Sequence, residues 1–139
     1  MGGKKMTDEK KTILVVDDDP DAIAFAESVI SDLGDFNVIT AMDGESGLSS
    51  AKSFNPDLII LDVTMPVKNG FETFNDLRKS DDLKNTPVIM LTGIAHDSGI
   101  AFRGKDMGHY FGKEPEAFID KPVDPEKLQQ EIKKILGIQ

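Results

Sequence analysis

Three short apolar runs constrain this chain more than anything else in it. Ile13-Leu14-Val15-Val16, Leu58-Ile59-Ile60-Leu61 and Val88-Ile89-Met90-Leu91 are continuous, not alternating. A strand with one wet face alternates apolar and polar residues, whereas a continuous run belongs to a strand covered on both faces. Phe36 to Thr40 reads as a less apolar second strand, and Phe118-Ile119 as a short fifth. Between these runs the period changes. Pro20 opens a stretch with Ala22, Ala26, Val29, Ile30 and Leu33 on one helical face, and Gly34 stops it. Asp43 to Phe54 reads as a short helix with Leu48 and Ala51 inward, ended by Pro56. Gly70 to Lys79 carries Phe71, Phe74 and Leu77 at helical spacing. Asp124-Pro125 caps a last amphipathic helix with Leu128, Ile132, Ile135 and Leu136 inward, closed by Gly137. Strands separated by helices imply parallel βαβ units, hence an α/β, doubly wound five-stranded parallel sheet with helices on both faces.

A length of 139 residues suits one domain with one sizeable core. We expect that domain to span residues 12–138, behind a polar, flexible N-terminal tail over residues 1–11. The formal charge of −9 argues against direct binding to nucleic acid or to an anionic membrane surface. No stretch approaches transmembrane length. With no cysteine, the chain has neither disulfide nor thiolate metal site, which fits a cytoplasmic location.

The ends of the apolar runs carry the chemistry. The first ends in Asp17-Asp18-Asp19-Pro20, and the third strand ends in Asp62. In an open α/β sheet, ligands gather beyond the carboxyl ends of the strands, near the point where strand order reverses. Carboxylates collected there repel one another unless a cation or proton compensates. A hard divalent ion such as Mg²⁺ takes oxygen ligands and keeps several waters, so two or three carboxylates suffice. Asp19 alone reads as the N-cap of the helix that begins at Pro20. Two further strands end in Thr92 and, after Asp120, in Lys121. A hydroxyl and an ammonium at one sheet edge suit a phosphoryl group. His96 and His109 stand in no cluster and read as ordinary loop residues.

This constellation resembles the receiver domain of bacterial response regulators, of the chemotaxis CheY type and stand-alone. The resemblance runs from about Thr12 to Leu136. It is carried by Val15-Val16-Asp17-Asp18, by Leu61-Asp62-Val63-Thr64-Met65-Pro66 with Asn69-Gly70, by Leu91-Thr92-Gly93 and by Asp120-Lys121-Pro122. It implies a flavodoxin-like sheet in the order 2-1-3-4-5. It also implies a phosphorylation-activated switch in a two-component system, driven by a histidine kinase or a histidine phosphotransfer protein. Asp62 would be the phosphoacceptor. Asp18, Asp62 and the Thr64 backbone carbonyl would hold Mg²⁺, with Asp17 acting through water. Lys121 would pair with Asp62 and later with the phosphate, and Lys121–Pro122 is where the family commonly uses a cis peptide. Thr92 would be the switch hydroxyl and Phe118 the aromatic switch. Catalysis would extend only to the domain's own phosphorylation and dephosphorylation, and output would reside in a separate, unidentified downstream protein.

One departure from the family pattern stands out. From Thr92 to Lys121 is 29 residues, longer than the family pattern by about one to two helical turns. Five of the twelve glycines fall there, at 93, 99, 104, 108 and 112. Each lowers helix stability by roughly 1 kcal/mol relative to alanine, so the fourth crossover helix should be short or irregular. Two rival readings stay open. A phosphatase of the haloacid-dehalogenase type also uses Mg²⁺ and an aspartyl phosphate, but needs a second carboxylate two residues after the nucleophile. Asp17 followed by Asp19 has that spacing; Asp62 followed by Thr64 does not. The other rival is a receiver-like module that binds its partner without phosphorylation.

Overall fold

The computed structural model describes residues 10–63, 70–92 and 115–138. Among the described residues, five strands and four helices follow the order that the runs predict. β1 (Thr12–Val16), α1 (Pro20–Leu33), β2 (Asn37–Ala41), α2 (Gly44–Phe54) and β3 (Leu58–Asp62) come first. α3 (Gly70–Lys79), β4 (Val88–Thr92), β5 (Ala117–Asp120) and the C-terminal helix α4 (Pro125–Leu136) follow. All pairings are parallel, and the strand order is β2-β1-β3-β4-β5. The order reverses between β1 and β3, so the crevice of a doubly wound sheet opens at their carboxyl ends. The expected short or irregular crossover helix falls almost wholly outside the described residues.

Burial follows the continuous runs. Every residue of β3 and β4 is buried. One face of the sheet packs Leu14, Val16, Ile59, Leu61, Val88 and Met90 against Ala51 of α2 and Phe74 and Leu77 of α3. The other packs Ile13, Val15, Leu58, Ile60, Ile89 and Ile119 against Ile23, Ala26, Val29 and Ile30 of α1 and Leu128 and Ile132 of α4. Ala22 and Leu33, expected inward, are half-buried, and Ile23 is buried in their place. No helix of the described residues is long and apolar enough to cross a membrane.

Caps set where the helices begin. Asp19 Oδ1 accepts the Asp21 N–H at 2.9 Å, and Asp43 Oδ1 accepts the Ser46 N–H at 2.8 Å. Asp124 Oδ1 accepts the Glu126 N–H at 3.0 Å. Each satisfies a backbone donor that the first helical turn leaves without an internal partner. Gly137 ends α4 in the left-handed region at φ 70°, a conformation that glycine adopts without steric cost.

Candidate functional site

The sheet order brings the two acidic strand ends together. β1 and β3 are hydrogen-bonded neighbours with Val16 opposite Leu61, so Asp17 and Asp62 leave the sheet side by side. Asp17 and Asp62 are buried at 1% and 2% exposure, while Asp18 is exposed. Carboxylate oxygens of the three lie within 4.8 Å of one another. Asp17 is fixed at both ends: its N–H donates to the Ala41 carbonyl at 3.0 Å, and its Oδ1 accepts the Asp19 N–H at 3.0 Å. Asp62 is fixed through its chain neighbours. Val63 N–H donates to Leu91 O at 2.9 Å, and Gly70 N–H donates to Val63 O at 2.8 Å. A Cβ at Gly70 would collide with the Asp62 carbonyl oxygen and stand 2.7 Å from Val63 Cα. Only glycine lets the start of α3 press this close to the acidic strand end.

Lys121 reaches the acids from the far end of the sheet. Its Nζ lies 3.1 Å from Asp62 Oδ1 and 3.3 Å from Asp17 Oδ2. Partial burial pushes its ammonium down, but the charges and hydrogen bonds of Asp62 and Asp17 outweigh that and hold its pKa above the ordinary lysine value. The Lys121–Pro122 peptide is cis, as the resemblance led us to expect. Beside it, Asp19, Ala22, Phe25, Lys121, Pro122 and Val123 line an open cleft of about 260 Å³.

Thr92 and Phe118 project from the face of the sheet that carries α2 and α3. Thr92 is 3% exposed. It follows Leu91, which is paired with Asp62. Its hydroxyl donates to Asp120 Oδ1 at 3.0 Å. Phe118 is half-buried against the cluster that holds Met90, its register partner. Thr64, the expected carbonyl ligand, lies outside the described residues, as do His96 and His109. The contact of Asp120 with Thr92 is a feature that sequence reasoning passed over. Asp120 stood in the quoted Asp120-Lys121-Pro122 motif, but only strand register reveals that it faces Thr92.

Among the described residues, three clustered carboxylates meet one ammonium. The donor set is oxygen only, so it suits a hard divalent ion such as Mg²⁺ and not a soft one. Asp17, Asp18 and Asp62 would hold that ion. Its chemistry would be to neutralise charge on a phosphoryl group brought against Asp62.

The chain matches the response regulator receiver domain family over residues 13–133. It is 34% identical over 128 residues to a probable transcriptional regulator, ycf27, of Porphyridium aerugineum, covering 92% of this chain and 49% of that protein. Among solved structures, a putative response regulator from Chloroflexus aurantiacus superposes with a TM-score of 0.79 at 27% identity, covering 93% of this chain and 99% of that one. The chemotaxis protein CheY4 of Vibrio cholerae gives 0.75 at 31% identity, covering 91% and 98%. The chain spans about half the length of the curated relatives it matches.

Proposed function

The chain belongs to the response regulator receiver domain family of two-component signalling switches, and on that premise we propose that Asp62 is its phosphoacceptor. The observation that carries the reading is the buried Asp62 carboxylate, held 3.1 Å from Lys121 Nζ and grouped with Asp17 and Asp18. An Asp62 oxygen attacks the phosphorus of a phosphohistidine on a histidine kinase or phosphotransfer protein. The P–N bond breaks, the imidazole nitrogen keeps the electron pair, and an acyl phosphate forms on Asp62. Asp18 and Asp62 would hold Mg²⁺, with Asp17 acting through water and the Thr64 carbonyl the further ligand that the family resemblance implies. Lys121 pairs with the phosphoryl oxygens as a point charge.

Phosphorylation replaces the single negative charge of the Asp62 carboxylate with a phosphoryl group that carries about −1.5 to −2 and three strong acceptor oxygens. Thr92 then turns its hydroxyl toward the phosphoryl group, and Phe118 takes the space released, shifting an existing equilibrium. Residues 12–138 act as one signalling unit in a cytoplasmic setting. The domain's own chemistry is limited to gaining and losing the phosphoryl group. An effector reads its phosphorylated state; the net charge of −9 does not favour direct contact of this domain with DNA. Asp19 serves as the cap of α1, which disfavours the phosphatase alternative that needs it as an acid.

Incubation with Mg²⁺ and acetyl phosphate followed by intact mass tests the reading. One phosphoryl adduct is expected in the wild type and none in Asp62→Ala. An adduct that persists in Asp62→Ala, or none in the wild type with any donor, overturns it.

A further inference from the structure

We infer that Asp120 is a positioning residue that holds the Thr92 hydroxyl in the resting protein and competes for it with a phosphoryl group on Asp62. The inference rests on the reading of Asp62 as phosphoacceptor. Thr92 and Asp120 are register partners across β4 and β5. The backbone locks the pair just beyond, where Lys121 N–H donates to Thr92 O at 2.6 Å. In this frame Thr92 Oγ1 donates to Asp120 Oδ1 at 3.0 Å.

A hydroxyl carries one proton, so it donates to one strong acceptor at a time. Thr92 is 3% exposed and has little access to water as an alternative. Its choice is therefore between the Asp120 carboxylate and an anionic oxygen arriving at Asp62, both of which are charge-assisted acceptors. Asp120 is exposed, so water replaces the hydroxyl when it leaves, and the bond resists switching without forbidding it. Such an acceptor raises the phosphoryl occupancy needed to turn Thr92 inward. A ligand shifts a two-state equilibrium only by its differential affinity for the two states, and Asp120 subtracts from that difference.

A double-mutant cycle read by calorimetric titration with beryllofluoride, a phosphoryl mimic, at saturating Mg²⁺ tests the inference. Asp120→Ala is expected to tighten binding about fivefold in the wild-type background, which converts to about 1 kcal/mol, the net worth of one ordinary hydrogen bond. In the Thr92→Ala background the same change is expected to have less than about a twofold effect, and Thr92→Ser should restore the response. Equal tightening with and without the Thr92 hydroxyl would reduce Asp120 to a repelling charge and overturn the inference. No tightening in the wild-type background would overturn it as well. Acetyl phosphate labelling of the wild type separates the two failures. If the Asp62 adduct forms but the cycle shows no coupling, only the role of Asp120 falls; if no adduct forms, the phosphoacceptor reading falls with it.

Discussion

Lys121 Nζ stands 3.1 Å from Asp62 Oδ1, joining the end of the third strand to the residue just beyond the fifth. The same ammonium lies 3.3 Å from Asp17 Oδ2, so one cation ties together two buried carboxylates that would otherwise repel. Because the folded-state pKa of Lys121 is raised above the ordinary 10.5, the stability it contributes is fully present below about that pH. It is lost as the pH climbs through the folded value. In Mg²⁺-free buffer, Lys121→Met should be less stable than wild type by about 1–2 kcal/mol at neutral pH. Urea midpoints compared between neutrality and pH 11 should show the gap closing only above 10.5. A gap that closes below pH 9 would remove the pairing as its cause.

Magnesium should stabilise the protein through the same acids. A ligand that binds only the native state adds about 2.7 kcal/mol at one hundred times its Kd. Asp18 is exposed and carries one of the three clustered negative charges. Asp18→Asn should therefore relieve repulsion and raise metal-free stability by about 1 kcal/mol, while losing most of the rise in Tm that Mg²⁺ produces. Thermal melts with and without EDTA check both halves. A variant as responsive to Mg²⁺ as wild type would remove Asp18 from the ion's ligands.

Gly70 and Gly47 should respond differently to alanine. At Gly70 the new methyl meets backbone, the Asp62 carbonyl and Val63 Cα, which cannot rotate away. A cost of about 1–3 kcal/mol is expected, together with slower acetyl phosphate labelling because Asp62 is displaced. At Gly47 the methyl meets the Val16 side chain at 2.9 Å, a clash offset by the helix propensity gained inside α2, about 1 kcal/mol. Chemical denaturation of both variants should show Gly70→Ala clearly the less stable. The reverse order would contradict the close approach of α3.

Arg78 and Glu116 tie α3 to the chain at the starts of β4 and β5. The Arg78 side chain is 2% exposed. Its Nη1 donates to Thr86 O at 2.8 Å, and its guanidinium lies 4.4 Å from the Phe74 ring centroid. Burial lowers its pKa, and Glu116, 3.4 Å away, partly restores it. Glu116 Oε1 also accepts the Val88 N–H at 2.7 Å. Glu116→Ala should cost about 2–3 kcal/mol because a buried cation loses one nearby counter-charge and Val88 N–H loses its acceptor. Glu116→Gln keeps an acceptor for Val88 and should cost less. Equal losses in the two variants, measured by urea denaturation, would show that the charge contributes nothing.

Much of this molecule is legible along the chain. Continuous runs such as Ile13 to Val16 read as strands because burial on both faces removes alternation. Asp19, Asp43 and Asp124 read as helix starts because a short carboxylate satisfies nearby N–H groups. Asp17, Asp18, Asp62, Thr92 and Lys121 read as a site because each follows an apolar run. Local signals resolve less well where helical faces blur. Ile23 replaced Ala22 as the inward residue because the orientation of α1 is set by what it packs against, not by its own period.

The sequence by itself determined which segments are strands and helices, where they stop, and which chemical groups stand at their ends. Those properties depend on neighbours a few residues away, through backbone sterics, capping and period. Tertiary structure decided who meets whom. It added Asp17 to the expected pairing of Lys121 with Asp62, and it alone placed the Thr92 hydroxyl on Asp120, Gly70 against the Asp62 backbone and Glu116 beside Arg78. Each of these depends on strand order and register, which are set by packing across the whole sheet and leave no local trace in the chain.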